Sequence, residues 1–483
     1  MRRYGGLVAA LAVGALCRFF DLTGQSLFID EGFVFHVSAL PVKELLNTIA
    51  RVDFHPPLFY LATHYLMAWL HWPLPDYRYF TAAFSLLGIG AVWAIGRRFF
   101  GQLAGTIAAF ALALQPALME WDRLYRMYAV LASLAALSWW LLVRAADSTG
   151  KSRWLWWSLY GVCAVALPYV QYVGAFVVLS QGIYALTSLR RLWPALLWDV
   201  IAGVALLPWA WAIRLQFPNG GHVISMQSSE FSWPHVIRGT LAYGIPAAWV
   251  IRPEFDLWFS IVAVALLLVG VYVARASVVP FWLLPVVIHV IGSFALGKDL
   301  VIPRYLNAYV PALCVGFGAL CSALVTSRYR VGAIALGAVW FGISLVSIPN
   351  MLFVPYYQFP DWYQVNALLV ANEKKPDLIV LDQGAEYWVV HDYTGFRGHQ
   401  IDGPALPSDL PNTIRWLSGY PQRRVWYIEN QPEFTDAHRR VERYLSSTRP
   451  LIRGWRQNRI FNEDVVRIEL FGPARRQTAR KGS

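Results

Sequence analysis

The stretch Phe28-Ile29-Asp30-Glu31-Gly32 is the most informative part of this chain, because it places two adjacent carboxylates just beyond a first apolar segment, Tyr4 to Phe20. An apolar segment of about 20 residues can cross a bilayer as a helix. Ionisable groups at a bilayer boundary are costly enough that function is the default interpretation. In an ordinary surface loop the same pair would simply be solvated. The stretch therefore predicts a membrane helix followed by a loop with functional carboxylates.

The composition indicates an integral membrane protein with a separate soluble domain. Of 483 residues, 57% are hydrophobic and 14% are charged, whereas soluble domains average about a quarter charged residues. Residues 1–349 contain 37 charged side chains and residues 350–483 contain 33. We predict a mainly α polytopic membrane module over 1–349 and a soluble α/β domain over 350–483. The net charge of +12 does not indicate nucleic-acid binding, because much of the excess arginine lies between apolar segments.

About 11 apolar segments are predicted to cross the membrane. They lie near residues 4–20, 78–96, 102–119, 125–143, 154–168, 172–189, 194–213, 256–274, 278–296, 305–326 and 331–349. Arginines follow alternate segments, as the positive-inside rule requires when the N-terminus is cytoplasmic. This arrangement predicts a multi-pass protein of the cytoplasmic (inner) membrane, with the C-terminal domain on the extracytoplasmic, periplasmic side.

One apolar segment, 56–72, does not fit this alternation. It is short, contains His64 and His71, and would reverse the side of every later loop if it crossed. We therefore expect it to lie at the outer interface or to re-enter the membrane. Residues 41–49 are predicted to form a second interfacial helix.

The C-terminal domain shows alternating strand and helix patterns, which favour a small α/β fold. Aromatic residues in 355–363 indicate a belt at the outer membrane interface. The predicted strands are 377–382, 424–429 and 465–471, the predicted helices are 363–373 and 436–446, and a basic tail containing Arg475, Arg476, Arg480 and Lys481 ends the chain.

The predicted outer loops carry an acidic set and a basic, aromatic set. The first comprises Asp30-Glu31 with Asp53-Phe54-His55-Pro56-Pro57-Leu58. The second comprises Asp122-Arg123-Leu124-Tyr125-Arg126-Met127-Tyr128 and Pro303-Arg304-Tyr305. Such sets suit a reaction between a hydroxyl, which must lose a proton, and a phosphate, which must leave as an anion.

These motifs and their order, with an Asp-Trp segment after the last span, resemble the GT-C membrane glycosyltransferases. The chain is most similar to the bacterial relatives of dolichyl-phosphate-mannose–protein mannosyltransferases, over residues 20–145 and again over 300–385. The resemblance implies a helical membrane module with an extracytoplasmic cavity. It also implies a polyprenyl-phosphate donor of a hexose or pentose, an acceptor hydroxyl on a protein, lipid or glycan, and inversion of the anomeric centre.

The resemblance assigns roles to the two carboxylates of the first loop. Asp30 corresponds to the general base that deprotonates the acceptor, a role that typically contributes ~10²–10⁴-fold. Glu31 would orient the acceptor or help to hold a divalent cation such as Mg²⁺ or Mn²⁺, if the reaction uses one. The alternative for Glu31 is a cap on the following helix.

The resemblance also assigns the donor phosphate to the basic set. Arg126 with Tyr128 and Arg304 with Tyr305 match the family's Arg-x-Tyr and Arg-Tyr motifs, and a guanidinium fork suits phosphate oxygens. His55 is a further phosphate-binding candidate. The alternatives are arginines that snorkel at helix ends and a histidine that only anchors its loop.

Asp122 and Arg123 are additional candidates, with less support from the family pattern. Relatives often have polar or acidic residues immediately before the arginine of Arg-x-Tyr, whereas this chain has Arg123 and Leu124 there. The alternative for Asp122 is an ion pair with Arg126, one helical turn away.

Two other functional classes compete with a transferase. A transporter or flippase of a lipid-linked glycan would more often show ionisable residues at mid-membrane and related halves. A non-catalytic assembly subunit would use the C-terminal domain to bind partners. The polar motifs at one predicted membrane face and the lack of an internal repeat favour the transferase.

Overall fold

The computed structural model describes residues 4–216, 269, 272–273, 278–296, 303–354, 360–374, 376–382, 384–393, 400–404, 407–430, 432–457 and 466–475. The predicted span 256–274 lies almost wholly outside these residues. The first five residues of the aromatic belt, 355–359, and the basic tail beyond Arg475 lie outside them as well.

The chain divides into two units. The first comprises Met1–Leu22 and Val37–Met351, and the second comprises Thr23–His36 and Leu352–Ser483. The sequence predicts the whole of 1–349 as one module, but the structure groups the segment with Asp30 and Glu31 with the C-terminal residues. A short segment can join a distant domain because its apolar side chains are buried there, which periodicity along the chain does not reveal.

The first unit is helical, and each predicted span within the described residues coincides with one or two helices. The α-helices are Gly5–Phe19, Val42–Val52, Leu58–Leu70, Arg78–Phe100, Gln102–Ala113, Pro116–Asp122, Met127–Asp147, Ser152–Val170, Val173–Leu186, Leu189–Ala205, Val279–Trp282, Leu284–Leu296, Val310–Val325 and Arg330–Phe353. Short 3₁₀ helices occupy Leu74–Tyr77, Leu207–Trp209 and Pro303–Ala308.

The predicted number of about 11 spans is not confirmed. Among the described residues, four continuous helical segments are long and apolar enough to cross a membrane: Leu74–Phe100, Met127–Asp147, Leu189–Gln216 and Arg330–Phe353. A fifth is reached if Gln102–Ala113 and Pro116–Asp122, bent by 59°, count as one broken span. Five further apolar helices are too short to meet this criterion by themselves, namely Gly5–Phe19, Leu58–Leu70, Val173–Leu186, Val279–Ile288 and Val310–Val325.

The helix Leu58–Leu70 is the segment that the sequence predicts not to cross. Its 13 residues give a length of about 20 Å, against about 30 Å for a hydrocarbon core. The predicted interfacial helix at 41–49 is also helical, as Val42–Val52. The sides of the membrane on which these helices lie stay a prediction.

Close packing in the first unit depends on glycine. A Cβ on Gly318 would lie 2.4 Å from the carbonyl oxygen of Ala104, and one on Gly105 would lie 2.7 Å from that of Trp93. The helices Arg78–Phe100, Gln102–Ala113 and Val310–Val325 therefore meet through their backbones. Small residues permit this approach and gain dispersion contacts between helices.

The second unit contains a five-stranded mixed sheet of order β2-β1-β3-β5-β4. The strands are β1 Leu378–Leu381, β2 Gln400–Asp402, β3 Val425–Glu429, β4 Leu451–Arg456 and β5 Arg467–Phe471. β1 is parallel to β2 and β3, whereas β5 is antiparallel to β3 and β4. In register, Ile379 faces Trp426, which faces Leu470.

Helices cover both faces of this sheet. The α-helices of the second unit are Ile29–Ser38, which extends two residues beyond the unit, Trp362–Asn372, Leu410–Ser418, Pro432–Thr435 and Arg440–Thr448; Trp388–Tyr393 is a π-helix, and 3₁₀ helices occupy Gly384–Glu386 and Pro407–Asp409. Ile29 and Trp362 are buried with one face of the sheet, whereas Leu410 and Val441 are buried with the other.

The predicted α/β character of the C-terminal domain is confirmed, with two strands missed. The three predicted strands correspond to β1, β3 and β5, all largely buried. β2 has only three residues, and β4 is almost wholly exposed and contains arginines. Neither presents the apolar run by which a buried strand is recognised.

Gly318→Ala should destabilise the first unit, because its methyl group would collide with the backbone oxygen of Ala104. We expect the free energy of unfolding to fall by about 1–3 kcal/mol, as overpacking typically costs. Thermal unfolding in detergent measures this. Gly337→Ala is the matched control, because a Cβ there meets nothing within 4 Å. Equal stability of the two variants would contradict the proposed backbone contact.

Candidate functional site

The predicted carboxylate pair lies in the first turn of the helix Ile29–Ser38, which we call the acidic helix. Asp30 is half-buried, whereas Glu31 is fully buried. The Glu31 Oε2 atom accepts a hydrogen bond from the backbone N–H of Phe28 at 2.8 Å. A glutamate that reaches back in this way caps the helix start. Glu31 thus makes the capping contact that was the alternative to a catalytic role.

In the first unit, Asp53 organises the loop before the helix Leu58–Leu70. Its Oδ1 atom lies 2.8 Å from Nδ1 of His55 and accepts the Phe54 N–H at 2.8 Å. Its Oδ2 atom accepts the hydroxyl of Tyr60 at 2.6 Å. Burial raises the pKa of Asp53, but the neighbouring His55 and the hydrogen bonds from His55 and Tyr60 lower it more, so that the pKa lies below its ordinary value.

Gln216 fastens the same loop from a distant part of the chain. Its Nε2 atom donates to the carbonyl oxygens of Ile49 and His55, each at 2.9 Å. Its Oε1 atom accepts the hydroxyl of Tyr172, which in turn accepts the Trp209 indole N–H at 2.9 Å. No sequence pattern predicts these contacts, because an isolated glutamine after an apolar helix has no distinguishing pattern.

Arg126, Tyr128, Arg304 and Tyr305 lie in one region of the first unit. The guanidinium of Arg126 lies 5.9 Å from the ring centre of Tyr128, and that of Arg304 lies 5.8 Å from the ring centre of Tyr305. The rings of Tyr128 and Tyr305 are 6.3 Å apart. The two predicted motifs, 178 positions apart in sequence (304 − 126), therefore meet through their tyrosines.

Electrostatic interactions connect these four residues with the Asp53 loop. Arg126 helps to lower the pKa of Asp53, which His55 contacts directly. Asp53, Arg126 and Arg304 all act electrostatically on the Tyr305 phenol. The structure thus brings together all five predicted phosphate-binding residues. We call His55, Arg126, Tyr128, Arg304 and Tyr305, with Asp53, the cationic cluster.

Three polar groups in this region are buried and, within the described residues, make no hydrogen bond. They are Nε2 of His55, the hydroxyl of Tyr128 and the side-chain amide of Asn307. His55 is 2% exposed, and Tyr128 and Asn307 are fully buried. Asn307 shares the 3₁₀ helix Pro303–Ala308 with Arg304. Buried polar groups are normally satisfied, so a ligand with several oxygen atoms fits this region.

Asp122 makes a different ion pair from the one considered in the sequence. It pairs with Arg18 at 2.8 Å, and both side chains are buried. Arg18 also donates to the carbonyl oxygens of Leu112 and Ala113, where the helix Gln102–Ala113 ends. Asp122 therefore compensates the positive charge of Arg18, and the hydrogen bonds of Arg18 stabilise the break after the helix Gln102–Ala113. Arg126, the alternative partner, lies in the cationic cluster.

The side chain of Arg123 forms hydrogen bonds at the C-terminal end of the helix Gly5–Phe19. Its Nη1 atom donates to the carbonyl oxygens of Cys17, Arg18 and Phe20 at 3.1, 3.0 and 2.7 Å. These are carbonyl groups at the C-terminal end of Gly5–Phe19, which lack partners within the helix. The contacts give Arg123 a structural role and do not join it to the cationic cluster.

The divalent cation implied by the resemblance has no evident ligand set in the described part of the chain. No group of three or more histidine, cysteine, aspartate or glutamate side chains among those residues could hold a metal ion. All four cysteines are free thiols and lie in helices of the first unit.

Comparison with known proteins agrees with this architecture. Residues 54–212 match the family model for dolichyl-phosphate-mannose-protein mannosyltransferase. The crystal structure of ArnT from Cupriavidus metallidurans bound to undecaprenyl phosphate is similar, with a TM-score of 0.56, 15% identity, and coverage of 96% of this chain and 98% of ArnT. This chain has the GT-C fold. The predicted resemblance to GT-C membrane glycosyltransferases is thereby confirmed.

Two further structures share the GT-C fold. ArnT in the apo state has a TM-score of 0.58 and 14% identity, covering 97% of this chain and 98% of ArnT. The oligosaccharyltransferase AglB from Archaeoglobus fulgidus, in complex with an inhibitory peptide and a dolichol-phosphate, has a TM-score of 0.53 and 10% identity, covering 89% of this chain and 69% of AglB. A search of curated protein sequences gave no match.

Asp122→Asn should destabilise the first unit strongly, because it leaves Arg18 buried without a counter-charge. Breaking a buried pair typically costs about 3–5 kcal/mol, which unfolding in detergent would measure. Asp147→Asn is the control, since Asp147 pairs with the half-exposed Arg98 and Arg191, and exposed pairs contribute about 1 kcal/mol or less. Similar losses in both variants would contradict this distinction.

Proposed function

We propose that the protein is a membrane glycosyltransferase that transfers a sugar from a polyprenyl-phosphate donor to an acceptor hydroxyl at the extracytoplasmic face. The observation that carries this proposal is the cationic cluster, which two separate motifs and the His55 loop build within one unit. The GT-C fold supports it, because one solved structure with this fold is bound to undecaprenyl phosphate and another to a dolichol-phosphate.

In this proposal the cationic cluster holds the donor phosphate and stabilises it as it leaves. Negative charge grows on the phosphate as the bond to the sugar breaks, and fixed cations in a site shielded from water stabilise such charge strongly. Arg126 and Arg304 supply guanidinium groups suited to phosphate oxygens. Tyr128 and the amide of Asn307 are buried hydrogen-bond donors that have no partner among the residues that the structure describes.

His55 contributes a directed donor to the same phosphate. Asp53 fixes the imidazole through Nδ1 at 2.8 Å, which leaves Nε2 for another partner. When both ring nitrogens carry protons, Nε2–H donates to a phosphate oxygen, while Asp53 compensates the positive charge. Asp53 is thus a positioning residue for His55.

The general-base role of Asp30 rests on the family resemblance. Its carboxylate would remove the acceptor proton as the hydroxyl oxygen attacks the anomeric carbon from the side opposite the phosphate, which inverts that centre. Glu31 would maintain the first turn of the acidic helix through its contact with Phe28. The same proposal includes a hexose or pentose as the sugar, a glycan, lipid or protein as the acceptor, and Mg²⁺ or Mn²⁺ as the divalent cation if the reaction uses one.

Arg126→Gln and Arg304→Gln should each weaken binding of undecaprenyl phosphate by about tenfold or more, since a charged hydrogen bond typically contributes 1.5–3 kcal/mol. Titration of the purified protein in nanodiscs with undecaprenyl phosphate measures the dissociation constant. The control is Arg328→Gln, an exposed arginine in the turn before Arg330–Phe353. Unchanged affinity in both cluster variants would remove the cluster from donor binding.

Asp30→Asn should lower sugar transfer by about 10²–10⁴-fold while leaving undecaprenyl phosphate binding intact. The substrates are undecaprenyl-phosphate mannose, glucose and arabinose, with an envelope lipid and glycan extract as acceptor, and the product measured is undecaprenyl phosphate. Asp76→Asn, in the 3₁₀ helix Leu74–Tyr77, is the control. Equal turnover in wild type and Asp30→Asn would exclude the base role, and binding with no release from any donor would favour a flippase.

A further inference from the structure

The acidic helix packs within the second unit against an unusual element, the π-helix Trp388–Tyr393. The rings of His36 and Trp388 are stacked, with centres 3.7 Å apart and planes inclined by 22°. Phe33 contacts the same indole, with ring centres 6.5 Å apart. π-Helical turns are rare and occur frequently at functional sites. Here the π-helix presents Trp388 to two aromatic side chains of the acidic helix.

Gly32 permits an even closer approach, two residues after Asp30. A Cβ at this position would lie 2.9 Å from Cγ2 of Val389, and 3.3 Å from the Val389 backbone nitrogen. Val389 is fully buried, as is almost all of Ile29. The residues on both sides of Asp30 are therefore in contact with, or buried in, the C-terminal domain.

A second contact with the C-terminal domain is made by Ser26, four residues before Asp30. The hydroxyl of Ser26 donates to the carbonyl oxygen of Pro360 at 3.1 Å and accepts the backbone N–H of Trp362 at 2.9 Å. Asp361 accepts the N–H groups of Tyr363 and Gln364 and so caps the helix Trp362–Asn372. The Asp-Trp segment that contributed to the family resemblance thus holds the segment that leads into the acidic helix.

We propose that the C-terminal domain positions Asp30 for catalysis, with Trp388 and Val389 as the positioning residues. Ser26 fixes the approach to the acidic helix, and the contacts at Gly32 and His36 fix its rotation and depth. The inference rests on the proposed function, since it concerns the base of that reaction. It adds a role for the soluble domain, whose sheet and π-helix set where one carboxylate of the N-terminal segment points.

Gly32→Ala tests this role by inserting one methyl group between the acidic helix and Val389. We expect kcat to fall about 10- to 100-fold, because a misplacement of about 1 Å can cost 10²-fold, with undecaprenyl phosphate affinity unchanged. Adding Val389→Ala removes the colliding Cγ2 atom and should restore part of kcat. Gly337→Ala, with open space at its Cβ, is the control and should retain wild-type kcat.

A second measurement reports how stably the acidic helix is held against Trp388, and it does not require turnover. In Trp388→Ala, amide hydrogen exchange over residues 29–36 should accelerate, and kcat should fall in parallel with no change in undecaprenyl phosphate affinity. Trp388→Phe keeps a ring to stack on His36 and should retain slow exchange and most of kcat. If Trp388→Ala leaves both the amide hydrogen exchange over residues 29–36 and kcat as in wild type, the proposal is wrong.

The outcomes separate this inference from the proposed function. If Asp30→Asn is inactive while Gly32→Ala keeps wild-type kcat, the base assignment stands and the positioning role fails. If the double variant Gly32→Ala/Val389→Ala is as impaired as Gly32→Ala, the collision is not the cause and the positioning role also fails. If Asp30→Asn is fully active, the proposed base role fails, and the positioning role falls with it.

Discussion

The site of the first unit depends on the hydrogen bonds that the buried carboxylate of Asp53 accepts. A charge removed from water is costly unless it is paired and hydrogen-bonded. Asp53 meets that cost with His55, Tyr60, the backbone N–H of Phe54 and the field of Arg126. In doing so it fixes the imidazole of His55 and balances part of the positive charge around it. Without such a counter-charge, the positive charges of the buried Arg126 and the partly buried Arg304 would repel each other and destabilise the unit.

The same requirement explains why only some of the polar residues near the cluster act as candidates for chemistry. Arg18 and Asp122 form an ion pair with each other, and Arg123 is used at a helix end. These contacts stabilise the break between Gln102–Ala113 and Pro116–Asp122, where backbone carbonyls would otherwise lack partners. His55 and Tyr128 instead retain buried polar atoms without partners among the described residues. The charges of Arg18, Asp122 and Arg123 are thus used within the fold, whereas His55 and Tyr128 are the candidates for contact with a ligand.

The second unit gives the C-terminal domain a defined physical connection to the N-terminal segment. Ile29 is part of the same apolar core as Trp362 and Trp426, so the start of the acidic helix is buried together with the sheet. The close contact at Gly32 and the stack at His36 add geometric restraint to this burial. The conformation of this N-terminal segment therefore depends on its packing within the second unit.

Local sequence patterns predict the helical membrane module, the α/β character of the last 134 residues (483 − 349) and the residue types of the cationic cluster. These follow from apolar periodicity, charge density and ordered motifs, all of which are local. Which polar groups meet is instead visible in the folded chain alone. Arg18 with Asp122, Gln216 with the His55 loop, and residues 23–36 with the C-terminal sheet are separated by about a hundred or more positions. Such pairs leave no local pattern, because burial in a shared core or ion pair depends on packing between distant segments.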